Sequence, residues 1–362
     1  MKKIVFIGYS LVQKEIYGIQ RNTYEILKEL DKLITDQQVE VLIPANGSRK
    51  PEFENIKVVE LGSLPKSSNR NAGRVYKLIW KNLLFPRYVK KSGAVSVDML
   101  HIFPRRVCEA TMIYDCIPDL FPQFYSSFSG RLYRLIMRKN QQRAAKRSQI
   151  ILTDSNCAKE DISRLYNTDK DKIAVIPCAW QHFERIEEDE KILDKFSLKD
   201  KEYFFSLGSH FEHKNEKWII AAARQNPSER FVVTGSYFSS LSDAEKSAPD
   251  NVIFSGYLTD GEVKALMKHC KAFIQPSLYE GFGIPPMEAM SVGADCIVSN
   301  VSSLPEVYGD SVRYIDPTDY GSIDLEKIMS VSKEDNSAVL NKYSWAKSAE
   351  MLFEIVKNQA KE

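Results

Sequence analysis

Ala272-Phe273-Ile274-Gln275-Pro276-Ser277-Leu278-Tyr279-Glu280-Gly281-Phe282-Gly283-Ile284-Pro285-Pro286-Met287-Glu288 reads as a strand, a glycine loop and the first turn of a helix. Glycine has no side chain and tolerates dihedrals that other residues resist, so a Gly-Phe-Gly loop can bring backbone N–H groups close to a ligand. Proline favours the first helical position, where its missing N–H would be unbonded anyway. A helix begun there aims the positive end of its dipole over the loop, which suits a phosphate. Glu280 lies in the loop and Glu288 in the first turn, where carboxylates suit the hydroxyls of a sugar. Together these features describe a site for an anionic, polyhydroxylated ligand such as a nucleotide-sugar. A plain strand-loop-helix joint, with Glu288 only favourable to the helix start, fits the stretch equally well.

The rest of the chain has to separate those readings. Its 362 residues exceed one ordinary core and suit two domains. Lys and Arg number 50 against 48 Asp and Glu, so the total charge implies no bulk affinity for polyanions. No apolar run approaches the roughly 20 residues that cross a bilayer, and the short run Ile4 to Gly8 after Lys2-Lys3 does not read as a secretory signal. Cys108, Cys116, Cys157, Cys178, Cys270 and Cys296 form no CxxC pair and no ligand-like spacing with the histidines, so reduced thiols in a cytoplasmic protein are expected.

Short apolar runs alternate with amphipathic stretches, the pattern of a parallel α/β protein. Strands are predicted at 3–7, 39–43, 98–103, 110–114, 150–153 and 173–176, and again at 203–207, 231–234, 252–255, 272–275, 296–299 and 312–315. The charged stretch between these sets is read as a connection. The expected organisation is a Rossmann-like acceptor domain over 1–185, a linker over 186–201 and a Rossmann-like nucleotide-sugar domain over 202–342. A closing helix over 343–362 would pack back on the first domain. The two doubly wound sheets would face each other across a cleft, with Glu280 lining it, because such sheets bind ligands beyond the carboxyl ends of their strands.

Four segments of the second half, in order, resemble family 4 glycosyltransferases. They are Phe205-Ser206-Leu207-Gly208-Ser209-His210-Phe211-Glu212-His213-Lys214-Asn215, Val252-Ile253-Phe254-Ser255-Gly256-Tyr257-Leu258, Glu280 through Glu288, and Ser302-Ser303-Leu304-Pro305-Glu306-Val307. Tyr343 to Glu350 is similar to the family's closing helix. Tyr17-Gly18-Ile19-Gln20-Arg21, Tyr114-Asp115-Cys116-Ile117-Pro118 and Asp154-Ser155-Asn156 resemble family segments more loosely. The resemblance implies a GT-B fold and a retaining, metal-independent transfer of a sugar from a nucleotide-sugar, with no cofactor. It implies Glu280 at the donor sugar's hydroxyls and Glu288 at the ribose. Lys214 would be the diphosphate's counter-charge, and the amides of Phe282, Gly283 and Ile284 would meet the departing charge.

Glu280 and Lys214 are therefore the expected catalytic residues. Gly208, Ser209, Asn215, Tyr257, Gly281, Phe282, Gly283, Ile284, Glu288 and Gly18 complete the expected donor site. Ser209 stands where the family often has arginine, and Tyr17 where it has a second glycine. Tyr114, Asp115 and Arg21 are expected on the acceptor side, with Tyr114 in place of a histidine that many relatives carry. Asp169-Lys170-Asp171 is a formal DxD but reads as a turn, and Glu187-Glu188-Asp189-Glu190 reads as solvated charge rather than a cation cage.

Charge is distributed unevenly. Residues 66–97 hold eight basic residues and no acidic one, and Arg70, Arg74, Lys77 and Lys81 recur at helical spacing beside Val75, Leu78 and Ile79. A second acid-free run, 120–153, sets Arg131, Arg134, Arg138, Lys139, Arg143, Lys146 and Arg147 beside Leu132, Leu135 and Ile136. Basic amphipathic helices suit anionic lipid, so 66–91 and 131–147 are expected to contact the inner face of a plasma membrane. A solvated basic helix packed by its apolar stripe is the alternative, and a nucleic-acid groove is disfavoured because no such motif accompanies the charge. The expected acceptor is a glycan or lipid-diphosphate-linked glycan for capsule, O-antigen or exopolysaccharide. Two alternatives stay open: a nonhydrolysing nucleotide-sugar epimerase of the same fold, and an inactive glycan-binding assembly subunit.

Overall fold

The structure is a computed structural model that describes residues 2–16, 18–35, 38–65, 70–208, 211–234 and 247–361. The chain divides into two compact units, Met1–Cys178 with Trp345–Glu362, and Ala179–Ser344. Among the described residues the first unit holds β1 (Ile4–Ile7), β2 (Val39–Ala45), β3 (Lys57–Ser63), β4 (Val95–Asp98), β5 (Ala110–Met112), β6 (Ile150–Thr153) and β7 (Ile173–Val175). They form one parallel sheet in the order β3-β2-β1-β4-β5-β6-β7. The second unit holds β8 (Tyr203–Ser206), β9 (Arg230–Val233), β10 (Val252–Phe254), β11 (Ala272–Gln275), β12 (Cys296–Ser299) and β13 (Arg313–Ile315). Their order is β10-β9-β8-β11-β12-β13, again all parallel.

Both sheets reverse their winding once, at β1/β4 and at β8/β11. At such a reversal the loops leaving neighbouring strands part company and open a crevice beyond the carboxyl ends. The central strands β1, β4, β8, β11 and β12 are buried at every residue, as parallel strands covered on both faces must be. In β1, β8, β11 and β12 the largely apolar runs are why the sequence predicts them.

Two predictions of strand position in the first unit fail, each for a visible reason. β3 goes unpredicted because it is an edge strand, largely solvent-facing and interrupted by Lys57, Glu60 and Gly62. The strand expected at 98–103 lies instead at 95–98. Asp98 ends it by accepting hydrogen bonds from the N–H groups of Leu100 (3.0 Å), Ile102 (3.2 Å) and Phe103 (2.7 Å). His101 and Phe103 take positive φ in the resulting turn. An apolar run thus becomes a buried turn because one carboxylate satisfies three amides that a strand would have paired with a neighbour.

The expected linker over 186–201 is a further correction, since this stretch is packed into the second unit. Asp189 N–H donates to Gly261 O at 3.1 Å and Lys201 N–H to His269 O at 2.8 Å. Lys264 Nζ binds the carbonyls of Phe183 and Ile186, and Ile192 and Leu198 are buried. The chain passes between units at Cys178/Ala179 and Ser344/Trp345 instead. Charge density had masked the two buried anchors. Asp169-Lys170-Asp171 is a turn, with the Asp169 carboxylate accepting from Asp171 N–H at 3.0 Å.

The last helix, Trp345–Lys361, belongs to the first unit. Trp345, Ala349, Leu352, Val356 and Ala360 form its buried stripe, which packs on the helix Ile19–Leu33. Ser348 Oγ binds Pro177 O at 2.6 Å, and Lys2 N–H binds Ala360 O at 3.0 Å. Leu352→Ala removes three heavy atoms' worth of packing at a fully buried point. We expect a loss of about 2–5 kcal/mol, read by urea denaturation; a loss under about 1 kcal/mol would show that this helix does not hold the first unit together.

Burial holds the His101 imidazole down at about 4, well below its ordinary value. A group neutral in the fold but protonated when unfolded contributes stability that is complete above about pH 6.5 and declines as pH falls toward 4. His101→Asn should therefore lose less thermal stability than the wild type between pH 7 and pH 5, and parallel melting-temperature curves would refute the assignment.

Candidate functional site

The winding reversal in the second sheet places the segment after β8 beside the segment after β11. Gly208 follows β8 so closely that an added Cβ would lie 2.6 Å from Thr234 O and 2.8 Å from Glu216 Oε1, so only glycine fits. A short 3-10 turn, Glu212–Lys214, then delivers Lys214. Its ammonium reaches across to Glu280, at 2.7 Å from Oε1 and 3.1 Å from Oε2. Glu280 is 8 % exposed, whereas Lys214 is only partly buried, so the carboxylate is removed from water while the ammonium stays accessible.

Glu280 is held from several sides. Oε1 also accepts from Gln275 Nε2 (3.0 Å) and Ser277 Oγ (2.6 Å). Burial pushes the carboxyl's pKa up, but Lys214, the Ser277 hydroxyl and the nearby His213 together hold it below the ordinary value. The carboxylate is thus charged at neutral pH. Oε1 is saturated, whereas among the described residues Oε2 has only the longer Lys214 contact and keeps capacity for a ligand hydroxyl.

The loop that follows is fixed by its carbonyls. Ser303 Oγ donates to Glu280 O (3.0 Å) and Phe282 O (3.1 Å), and the Tyr308 hydroxyl donates to Gly283 O. Glu280 N–H donates to Ser302 Oγ at 3.0 Å. Gly283 has φ 87°, and a Cβ there would lie 2.6 Å from Leu304 Cδ2. Among the described residues no protein acceptor takes the amides of Phe282, Gly283 and Ile284. The Phe282 ring is buried edge-on against Tyr343 at 5.3 Å, so only its backbone is available to a ligand.

Glu288 lies on the helix Pro285–Ser291, which has prolines in its first turn. Its Oε1 is 2.8 Å from His182 Nε2, and both residues are buried. Nothing in the sequence pointed to His182. It stands more than a hundred positions away, in what read as the approach to a linker, and only the fold brings it to Glu288. Gln275, Ser277, Ser302, Ser303 and Tyr308 were likewise unassigned, although Ser302-Ser303 stood among the segments that carried the family likeness.

Asn215, expected to bind donor, is a correction. Its amide nitrogen donates to Pro276 O (2.9 Å) and Pro317 O (2.8 Å), and its oxygen accepts from Tyr320 Oη at 2.9 Å. Both amide donors are used internally, so it anchors the loop that carries Lys214. Burial and then the Lys214 charge hold His213 at about 4, neutral near pH 7. Tyr257 is 45 % exposed on the segment after β10, and Gly281 completes the glycine loop. Ser209 and His210 lie outside the described residues.

In the first unit, Gly18 caps the helix Ile19–Leu33 and Arg21 sits in its first turn, while Tyr17 is outside the described residues. Tyr114, expected toward an acceptor, is a second correction. It is 6 % exposed and its hydroxyl donates inward to Met99 O at 3.0 Å. Asp115 is partly exposed and accepts from Ile117 N–H at 2.9 Å, so it shapes the start of the helix Ile117–Leu120. Glu188, Glu190 and His269 are the described group with ligand atoms close enough for a metal, but Lys268 Nζ already lies 2.7 Å from Glu188 Oε2.

Residues 188–344, which contain Lys214, Glu280 and Glu288 but not His182, match the family Glycosyl transferases group 1. The O-antigen chain mannosyltransferase B of Escherichia coli is 28% identical over 361 residues, covering 92% of this chain and 91% of that protein. The O-antigen chain mannosyltransferase RfbU of Salmonella typhimurium is 29% identical over 225 residues, 60% of each chain. HepE of Anabaena, crystallised with UDP and glucose, has the same fold at a TM-score of 0.68 and 15% identity, covering 99% of this chain and 100% of that one. The chain therefore carries a glycosyl transferases group 1 domain over residues 188–344, which holds Lys214 and Glu280, and its α/β units have the GT-B fold.

Proposed function

We propose that this glycosyltransferase moves a hexose from a nucleotide-sugar to a growing surface polysaccharide, and that mannose is the first sugar to test, given the mannosyltransferases it resembles. The observation that carries the reading is the Lys214–Glu280 pair set beside three uncommitted loop amides. A nucleoside diphosphate leaves with concentrated charge. Preorganised amides and a lysine ammonium stabilise such charge as it develops, without reorganisation at the moment of reaction. No divalent ion is needed in this scheme.

Glu280 Oε2 accepts from a donor-sugar hydroxyl, and Glu288, oriented by His182, accepts from the ribose. These are charge-assisted hydrogen bonds that position the donor. The departing phosphate takes the acceptor's proton on the same face, so the anomeric configuration is retained. The family match favours transfer over the epimerase alternative, and mass spectrometry of products from a nucleotide-sugar panel separates transfer, epimerisation and inactivity. Glu280→Gln should lower kcat about 10²–10³-fold while leaving the melting temperature within a few degrees, as removal of a transition-state contact does. Near-normal turnover would overturn its assignment.

The acceptor side bears on where the enzyme works. No helix among the described residues is long and apolar enough to span a membrane. The helices Arg70–Ile79 and Phe128–Arg147 nevertheless expose Val75, Leu78 and Ile79, and Phe128, Leu132, Leu135 and Ile136. Each exceeds 40 % exposure, beside Arg74, Arg131 and Arg138. Scattered apolar side chains are ordinary, but clustered ones flanked by bases suit an anionic membrane. Each base near such a surface contributes about 1 kcal/mol. We read this as reversible attachment to the cytoplasmic leaflet, where lipid-linked acceptors are found. The chain should float with vesicles containing phosphatidylglycerol at low salt and release at high salt; absence of retention at low salt would exclude the reading.

A further inference from the structure

The first sheet has its own winding reversal at β1/β4, and charged side chains gather over it that the donor chemistry does not use. Lys77 and Lys81 are one helical turn apart. Lys77 Nζ lies 5.7 Å from the centre of the Tyr9 ring, just beyond β1. Lys81 Nζ donates to Ile102 O at 3.1 Å, in the turn beyond β4. From the helix Phe128–Arg147, Arg143 Nη2 donates to Phe103 O (3.3 Å) and Pro104 O (3.2 Å) of the same turn. Two helices distant in sequence therefore deliver three cations to the carboxyl edge of β1 and β4, the place where a sheet of this winding binds its ligand.

These charges are not neutralised by the protein. Among the described residues none of the three forms an ion pair with a carboxylate. The acid within electrostatic reach is Asp98, which is fully buried and hydrogen-bonded to three backbone amides. Arg143 Nε is buried with no hydrogen-bond partner. Burial lowers the pKa of Lys77 and Lys81, and Lys81 is lowered further by its neighbours Lys77 and Arg143. Crowding like charges into a partly dry site is unfavourable, and an anion placed among them relieves both the repulsion and the orphaned donor. An ammonium serves a phosphate as a point charge and a guanidinium serves it as a fork.

We propose that Lys77, Lys81 and Arg143 form an anion subsite for the diphosphate ester of the acceptor, an inference that rests on the transfer reading above. The helix Arg70–Ile79 that carries Lys77, and that the turn with Lys81 continues, exposes Val75, Leu78 and Ile79. A diphosphate held at the sheet edge would then be reached from an apolar face able to take the acceptor's lipid.

The test is calorimetric and uses the full chain saturated with UDP and GDP, so that the site of Lys214 and Glu280 is occupied. Methylenediphosphonate should still bind. Lys77→Gln/Lys81→Gln should weaken it at least tenfold, and Lys214→Gln should leave it within twofold. Absence of binding beside the nucleotides, or unchanged affinity in the double variant, overturns the proposal. Should the double variant fail to fold, the wild type answers instead: in its 13C-methylated form, the Lys77 and Lys81 resonances must shift on adding methylenediphosphonate, and unshifted resonances overturn the subsite. Farnesyl diphosphate is the second probe. Tighter binding than methylenediphosphonate supports a lipid-linked acceptor, and equal binding supports the subsite with a water-soluble diphosphate. Donor hydrolysis is followed separately. Hydrolysis retained without diphosphonate binding defeats this inference alone, whereas absence of hydrolysis and transfer with every nucleotide-sugar defeats the transfer reading.

Discussion

The Lys214–Glu280 pair constrains the second unit more than any other contact. Two ions taken out of water are costly unless geometry and further hydrogen bonds compensate, and removing one partner strands the other. Here the compensation is complete on one oxygen: Oε1 has Lys214, Gln275 and Ser277. The arrangement requires Gln275 to end a strand, Ser277 to follow it and Lys214 to arrive from the neighbouring strand. Sheet order, loop length and the glycine at 208 all serve that meeting. A pair so expensive to bury is weak evidence for stability, and its position at a winding reversal is better explained by a ligand that it prepares to meet.

Rigidity around the pair comes from an unusual division of backbone groups. Ser303 and Tyr308 take the carbonyls of the glycine loop, leaving the amides of Phe282, Gly283 and Ile284 uncommitted among the described residues. A loop fixed through its acceptors presents its donors without having to reorganise, which is the property that charge stabilisation requires. Asn215 does the same for the lysine. Its side chain ties the segments after β11 and β13 to the helix Glu216–Gln225 and so fixes the residue just after Lys214.

The two units share a winding but differ in what they gather at its reversal. In the second, one cation meets one anion, with amides to spare. In the first, three cations share the field of a single acid whose lone pairs are already engaged. This asymmetry follows from the acid-free stretches of the first half, where Lys77, Lys81 and Arg143 have no carboxylate close by in sequence and, among the described residues, form no ion pair through folding. The same stretches leave apolar side chains exposed on helices Arg70–Ile79 and Phe128–Arg147.

The sequence by itself determined the parallel α/β class, the apolar strands β1, β8, β11 and β12 and the Glu280 to Glu288 loop. Central parallel strands are continuous apolar runs, and glycine and proline mark the joints, so both signals are local. Tertiary structure decided the rest. The edge strand Lys57–Ser63 has no apolar signature, because one side of it faces water. The buried turn after Asp98 looks like a strand, because the carboxylate that breaks it acts through three amides further along. The charged stretch 186–201 resembled a linker until Ile192 and Leu198 were seen to be buried. Asn215 and Tyr114 carry polar groups that read as ligand contacts, and only the partners supplied by distant segments show them committed inward. His182 is the opposite case, a residue without local signal that reaches Glu288 across more than a hundred positions. Pairings of that kind depend on which loops the sheet order makes neighbours, and that is a property of the assembled fold.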